Sequence, residues 1–81
     1  MKISIVVDDD CILIDSVPKS VNLSELREIG LHALQWDGNI GDLEWGKTSA
    51  RGRANETITS IEPFQKYIDA WSTAEPYGTK S

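Results

Sequence analysis

Leu31-His32-Ala33-Leu34-Gln35-Trp36-Asp37-Gly38-Asn39-Ile40-Gly41-Asp42-Leu43-Glu44-Trp45 is the stretch that decides the fold. Two runs, Leu31 to Trp36 and Ile40 to Trp45, flank Asp37-Gly38-Asn39, and that pattern predicts a β-hairpin. Side-chain polarity then sets the register. A loop of two or four residues places Leu34 and Trp36 on the same face as Leu43 and Trp45. A three-residue loop without a bulge would put Asp42 and Glu44 on that face instead. Burying two carboxylates costs far more than burying Leu and Trp gains, so the even loop is expected. Gln35, Asp42 and Glu44 should then share the other, wet face.

Upstream, Ile3 to Val7 is β-branched and interrupted by Ser4, which reads as a strand. Asp8-Asp9-Asp10 is a turn signal, because Asp side chains bond local backbone. Cys11-Ile12-Leu13-Ile14 returns as a second strand, giving a first hairpin. Pro18 ends that regularity. Asn22 to Glu28 predicts one or two helical turns, with Asn22 and Glu25 as a capping-box-like pair and Gly30 at the end.

Downstream, Gly46 to Asn55 has no apolar periodicity and holds Lys47, Arg51 and Arg53, three of the eight basic residues. It reads as a mobile surface loop. Ser60 to Thr73 predicts a helix with Pro63 in its first turn. Phe64, Tyr67, Ile68 and Trp71 fall at i, i+3, i+4 and i+7, a single apolar stripe. Glu75 to Ser81 reads as a flexible tail. The predicted fold class is α+β: a small antiparallel sheet of two β-hairpins with one C-terminal helix packed on it. Residues 1–74 form a single domain and 75–81 the tail.

Composition narrows function. A domain of 81 residues buries only about 60% of the surface its unfolded chain exposes. Cys11 is the only cysteine and His32 the only histidine, so neither an internal disulfide nor a structural zinc site is available as a staple. A well-packed core or self-association must do that work. The net charge is −5, which argues against nucleic-acid or anionic-membrane partners. No stretch approaches the roughly 18 apolar residues of a membrane span. The apolar run after Lys2 is too short for an export signal, so a reducing cytoplasm is expected.

Chemistry is represented only by decoys. Gly41-Asp42-Leu43-Glu44-Trp45-Gly46-Lys47-Thr48 matches the phosphate-binding loop pattern. Here the intervening residues read as a strand, two of them are acidic, and no convincing helix follows. Asp8-Asp9-Asp10 lacks the spread of ligands over about twelve residues that calcium needs. Cys11 and His32 have no third group assigned to orient the histidine. No enzyme activity, metal or cofactor is expected. The three tryptophans, Trp36, Trp45 and Trp71, read first as core between sheet and helix. A sharper alternative exposes one of them as an interface anchor, since Trp is enriched at binding hot spots. Trp36 is the choice, beside the Asp37-Gly38 turn. The candidate protein interface is Trp36, Asp37, Gly38 and Trp45, with Arg51 and Arg53 of the basic loop as a second element.

Gly30-Leu31-His32-Ala33-Leu34-Gln35-Trp36, then Asn55-Glu56-Thr57-Ile58, Phe64 and Ile68-Asp69-Ala70-Trp71, resembles a group of small phage and prophage proteins encoded near tail and tail-fibre genes. The resemblance covers residues 20 to 73, and the loop from Lys47 to Ala54 is longer and more basic than in that group. It implies a virion or tail-fibre assembly role without enzyme activity, a phage tail or tail-fibre protein as partner, and a place in the host cytoplasm during assembly or in the virion. Homo-oligomerisation would fit the marginal size. The alternative is a small acidic phage inhibitor that binds a host protein. Mimics of nucleic acid carry ordered rows of carboxylates, whereas the 13 acidic residues here are dispersed.

Overall fold

A computed structural model describes residues 1–46 and 55–78. The chain forms strands β1 (Ile3–Val6), β2 (Cys11–Ile14) and β3 (Val17–Ser20), helix α1 (Ser24–Glu28), strands β4 (Leu31–Trp36), β5 (Gly41–Trp45) and β6 (Asn55–Ile58), and helix α2 (Gln65–Thr73). The strands make one sheet in the order β3-β2-β1-β4-β5-β6, with every neighbouring pair antiparallel. The α+β class, both expected hairpins and the C-terminal helix are present. The even register also holds: Leu34 pairs with Leu43 and Trp36 with Gly41, closing a four-residue loop. Leu34, Trp36, Leu43 and Trp45 are buried together, and Gln35, Asp42 and Glu44 are exposed.

Two strands go beyond the two expected hairpins. β3 follows a tight turn at Asp15 and Ser16, both with positive φ (49° and 73°). That conformation is the usual two-residue hairpin turn, but Asp-Ser lacks the glycine that makes such turns legible. Pro18 does not break β3, because β3 is an edge strand and the ring replaces an N–H that would point away from β2. β6 begins at Asn55, inside the expected loop, and pairs Thr57 with Asp42 and Ile58 with Gly41. The remainder of that loop, including Arg51 and Arg53, lies outside the described residues.

The tail also differs from expectation. Ser20 N–H donates to Glu75 O (2.8 Å) and Tyr77 N–H to Pro18 O (3.1 Å), so residues 75–77 line the outer edge of β3. The edge backbone of β3 needs hydrogen-bond partners, and the chain leaving α2 passes directly beside it.

Alternation partitions the sheet. Ile3, Ile5, Ile12, Ile14, Leu34, Trp36, Leu43 and Trp45 point to one face, where Leu23, Leu26, Phe64, Tyr67 and Ile68 complete the core. The expected helix from Ser60 begins instead as a 3-10 turn over Glu62–Phe64 that leads into α2, and the stripe runs across both, with Phe64, Tyr67 and Ile68 buried and Trp71 half-buried. Trp71 is more than filler. Its indole N–H reaches Ile12 O (3.0 Å) and Val17 O (3.2 Å), and Lys19 Nζ sits 4.2 Å from its ring centroid. Trp71 therefore ties α2 to the β2–β3 end of the sheet.

Asp10 ties the other helix. It takes the left-handed conformation at φ 50° after a 3-10 turn over Val7–Asp9. Its carboxylate accepts from Leu23 N–H (2.9 Å) and from Arg27 Nη1 (2.7 Å), while Arg27 also donates to Val7 O (2.7 Å). Asn22 caps only locally, through Ser24 N–H (3.0 Å). Glu25 does not close the expected capping box. It reaches Lys66 Nζ (2.6 Å) and Tyr67 OH (3.2 Å) instead and links the two helices. Gly30, at φ 86°, ends α1 as expected, its N–H donating to Arg27 O (3.0 Å).

Two outcomes follow for stability. Trp71→Phe keeps the ring but removes a donor to two carbonyls, so it should cost about 1–2 kcal/mol and lower Tm by roughly 5–15 °C in a chain of this size. The Asp10 carboxyl is held below its ordinary value, first by Arg27 and then by the Leu23 N–H. Its contribution is therefore present above the unfolded-state value and lost as pH falls below 3.8 through the lower folded value. Asp10→Asn should flatten the acid limb of a stability-against-pH curve measured by urea unfolding.

Candidate protein-binding surface

The expected interface at the β4–β5 turn divides once it is folded. Trp36 is only 8% exposed and Trp45 only 7%. Both belong to the core, so the expectation of Trp36 as a surface anchor is corrected. The physical reason is register: the same even loop that buries Leu34 and Leu43 carries Trp36 and Trp45 inward with them. Asp37 and Gly38 do lie at the surface, but Asp37 is occupied in building the loop. Its Oδ1 accepts from Asn39 N–H and Ile40 N–H, each at 2.9 Å. Those two bonds, Asn39 first, hold its carboxyl below the ordinary range.

In the string that matches a phosphate loop, Lys47 and Thr48 lie outside the described residues, and the two glycines have packing roles. A Cβ at Gly41 would stand 2.8 Å from Trp36 Cε3, and one at Gly46 would stand 2.7 Å from His32 Nε2. Both glycines exist so that a ring can lie on backbone, and the residues between them form β5. His32 Nδ1 lies 3.2 Å from Asp8 Oδ2. Cys11 is buried, and burial pushes its thiol upward, away from the thiolate a nucleophile needs. Among the described residues no group of three His, Cys, Asp or Glu side chains could hold a metal ion, and no helix is long and apolar enough to cross a membrane.

Among the described residues no helix covers the second face of the sheet. The described helices pack on the face of Ile3, Ile5 and Trp36. The opposite face carries Ser4 and Val6 from β1, Cys11 and Leu13 from β2, Ala33 and Gln35 from β4, and Asp42 and Glu44 from β5. Register aligns Cys11, Val6, Ala33 and Glu44 in one row across four strands. Leu13, Ser4, Gln35, Asp42 and Thr57 make the adjacent row. Cys11 is buried among its neighbours, while Val6, Leu13 and Ala33 are half-exposed. In the second row Ser4 Oγ bonds Gln35 Oε1 (2.8 Å), and Thr57 Oγ1 bonds Asp42 Oδ1 (3.3 Å). A depression of about 470 Å³ opens there, lined by Ala33, Gln35, Asp42, Leu43, Glu44 and Thr57.

This surface was accessible in part to sequence reasoning. Gln35, Asp42 and Glu44 were expected on a wet face. The apolar row carries a weaker sequence signal than the tryptophans. The signal was present in the first hairpin, where Val6, Cys11 and Leu13 are apolar at positions facing away from Ile3, Ile5, Ile12 and Ile14. A strand apolar on both faces is one that expects two covers.

Asp10, Asp15, Glu25 and Asp37 accept backbone or side-chain hydrogen bonds that organise turns and join helices. Comparison with protein-family models, with curated proteins and with solved structures gives no match.

The corrected role of Trp36 has a direct test. Trp36→Ala should destabilise by about 3–5 kcal/mol, as a truncated core aromatic does, and calorimetry should show loss or a large downward shift of the transition. A surface anchor would leave Tm nearly unchanged.

Proposed function

We propose that this chain is a non-enzymatic, protein-binding component of phage assembly, either part of the virion or a tail-fibre assembly factor in the host cytoplasm. The observation that carries the binding half is the one-sided sheet. The face opposite the described helices crosses three central strands with Cys11, Leu13, Val6 and Ala33, and the half-exposed Val6, Leu13 and Ala33 in one patch favour a protein partner. Burial of that patch would also supply stability that a chain of this length finds hard to reach alone.

The phage half rests on the resemblance. The residues that carry it are chiefly fold-forming here: Gly30 ends α1, Leu31, Leu34 and Trp36 enter the core, Asn55–Ile58 is β6, and Phe64 and Trp71 seat α2. The likeness therefore supports a shared fold, with the partner-facing residues left to the open side.

The test is capture. Tagged wild-type chain should retain a phage tail-fibre protein, or be found in purified particles by mass spectrometry. Val6→Glu with Leu13→Glu should abolish both while leaving Tm within a few degrees, because both side chains face away from the core. Absence of the wild type from particles and from fibre-protein pull-downs would overturn the assembly role. Undiminished capture by the double variant would overturn the open face as its site.

A further inference from the structure

We infer that the sheet face opposite the described helices takes a basic amphipathic segment of a partner protein, its aliphatic side chains on the half-exposed Val6, Leu13 and Ala33 and a lysine or arginine in the depression between Asp42 and Glu44. This rests on the open face being the binding surface and adds the chemistry of what binds there.

The row gives the layout. Neighbouring strands stand about 4.8 Å apart, so Cys11 to Glu44 spans roughly 14 Å, apolar for three positions and then acidic. Asp42 and Glu44 are two residues apart on β5, so their side chains leave the same face about 7 Å from each other. Both are exposed. Asp42 holds only the Thr57 hydroxyl, and Glu44 has no partner among the described residues. The depression between them has Ala33 in its wall and a volume of about 470 Å³. That accommodates the aliphatic stem of a long basic side chain with its charge between two carboxylates.

Charge distribution points the same way. The described cations are Lys2, Lys19, Arg27 and Lys66. Lys19 lies over Trp71 on the helix side, Arg27 is held by Asp10 and Lys66 by Glu25. Only Lys2, just before β1, stands near the rim of the open face, in the wall of an adjoining cavity that also includes Asp42. The described cations thus lie away from the centre of this face, where Asp42 and Glu44 present negative charge that a basic partner side chain would complement.

The experiment is an NMR titration of the full chain with three matched peptides of leucine and alanine: one carrying lysine, one glutamine and one glutamate. The lysine peptide should shift amides of Val6, Cys11, Ala33, Asp42 and Glu44, and the glutamate peptide should not bind. Asp42→Asn with Glu44→Gln, both on exposed side chains, should weaken the lysine peptide about tenfold at low salt, with the difference shrinking as salt rises. Equal affinity of the lysine and glutamine peptides for this face would overturn the basic specificity and leave the open-face reading standing. The lysine peptide mapping instead to Asp9, Glu62 or Glu75 would overturn the proposal, as would its binding wild type and double variant alike. No shift on the face with any peptide would count against both the proposal and the reading beneath it.

Discussion

Successive side chains of a strand point to opposite faces, so each apolar residue sealed on one side of a sheet has a neighbour to be accommodated on the other. That constraint governs this molecule. Ile3 and Ile5 of β1, Ile12 and Ile14 of β2, and Leu34 and Trp36 of β4 converge on one side. Among the described residues two short helices, five residues in α1 and nine in α2, cover them. Because these helices are short, each is fastened by specific polar contacts as well as by packing. Arg27 and Asp10 fix α1 to the first hairpin, Trp71 and Lys19 fix α2 to β2 and β3, and Glu25 with Lys66 and Tyr67 joins the helices. With both described helices on one face, the residues between the core positions point to the other, where Cys11 is buried among its neighbours, Val6, Leu13 and Ala33 are half-exposed, and Gln35, Asp42 and Glu44 are exposed.

Much of this was legible in the sequence, for identifiable reasons. The β4–β5 register followed from the cost of burying Asp42 and Glu44, an argument that needs no tertiary information. The stripe of Phe64, Tyr67, Ile68 and Trp71 followed from helical periodicity alone. β3 was obscured because Pro18 is a breaker in a central strand and harmless on an edge, and a single sequence does not say which strands are edges. β6 was obscured because Asn55 and Glu56 are poor strand residues whose pairing with β5 overrides propensity. The docking of residues 75–77 on β3 depends on where α2 ends in space, which no local pattern encodes.

The site was less legible than the fold. Tryptophan carries a double signal, since it is both a large core filler and an interface residue, and composition does not separate the two uses. Burial of Trp36 against Gly41 resolves it for this residue. The less conspicuous residues Val6, Leu13 and Ala33 then become the notable ones, because they are apolar where a solvated face would ordinarily be polar. The glycines at 41 and 46 each lie against a ring, that of Trp36 and that of His32, so their place in the sequence has a packing reason.

The proposed binding surface is the sheet face opposite the described helices. Hydroxyl-radical footprinting, read by mass spectrometry on the free chain and on the chain bound to a captured tail-fibre protein or within particles, tests it most directly. Modification of Val6 and Leu13 should fall several-fold on binding, while Ile29, 51% exposed on α1's side, should be unchanged. Protection of Ile29 with Val6 and Leu13 unaltered would contradict the claim and place the interface on the helical side.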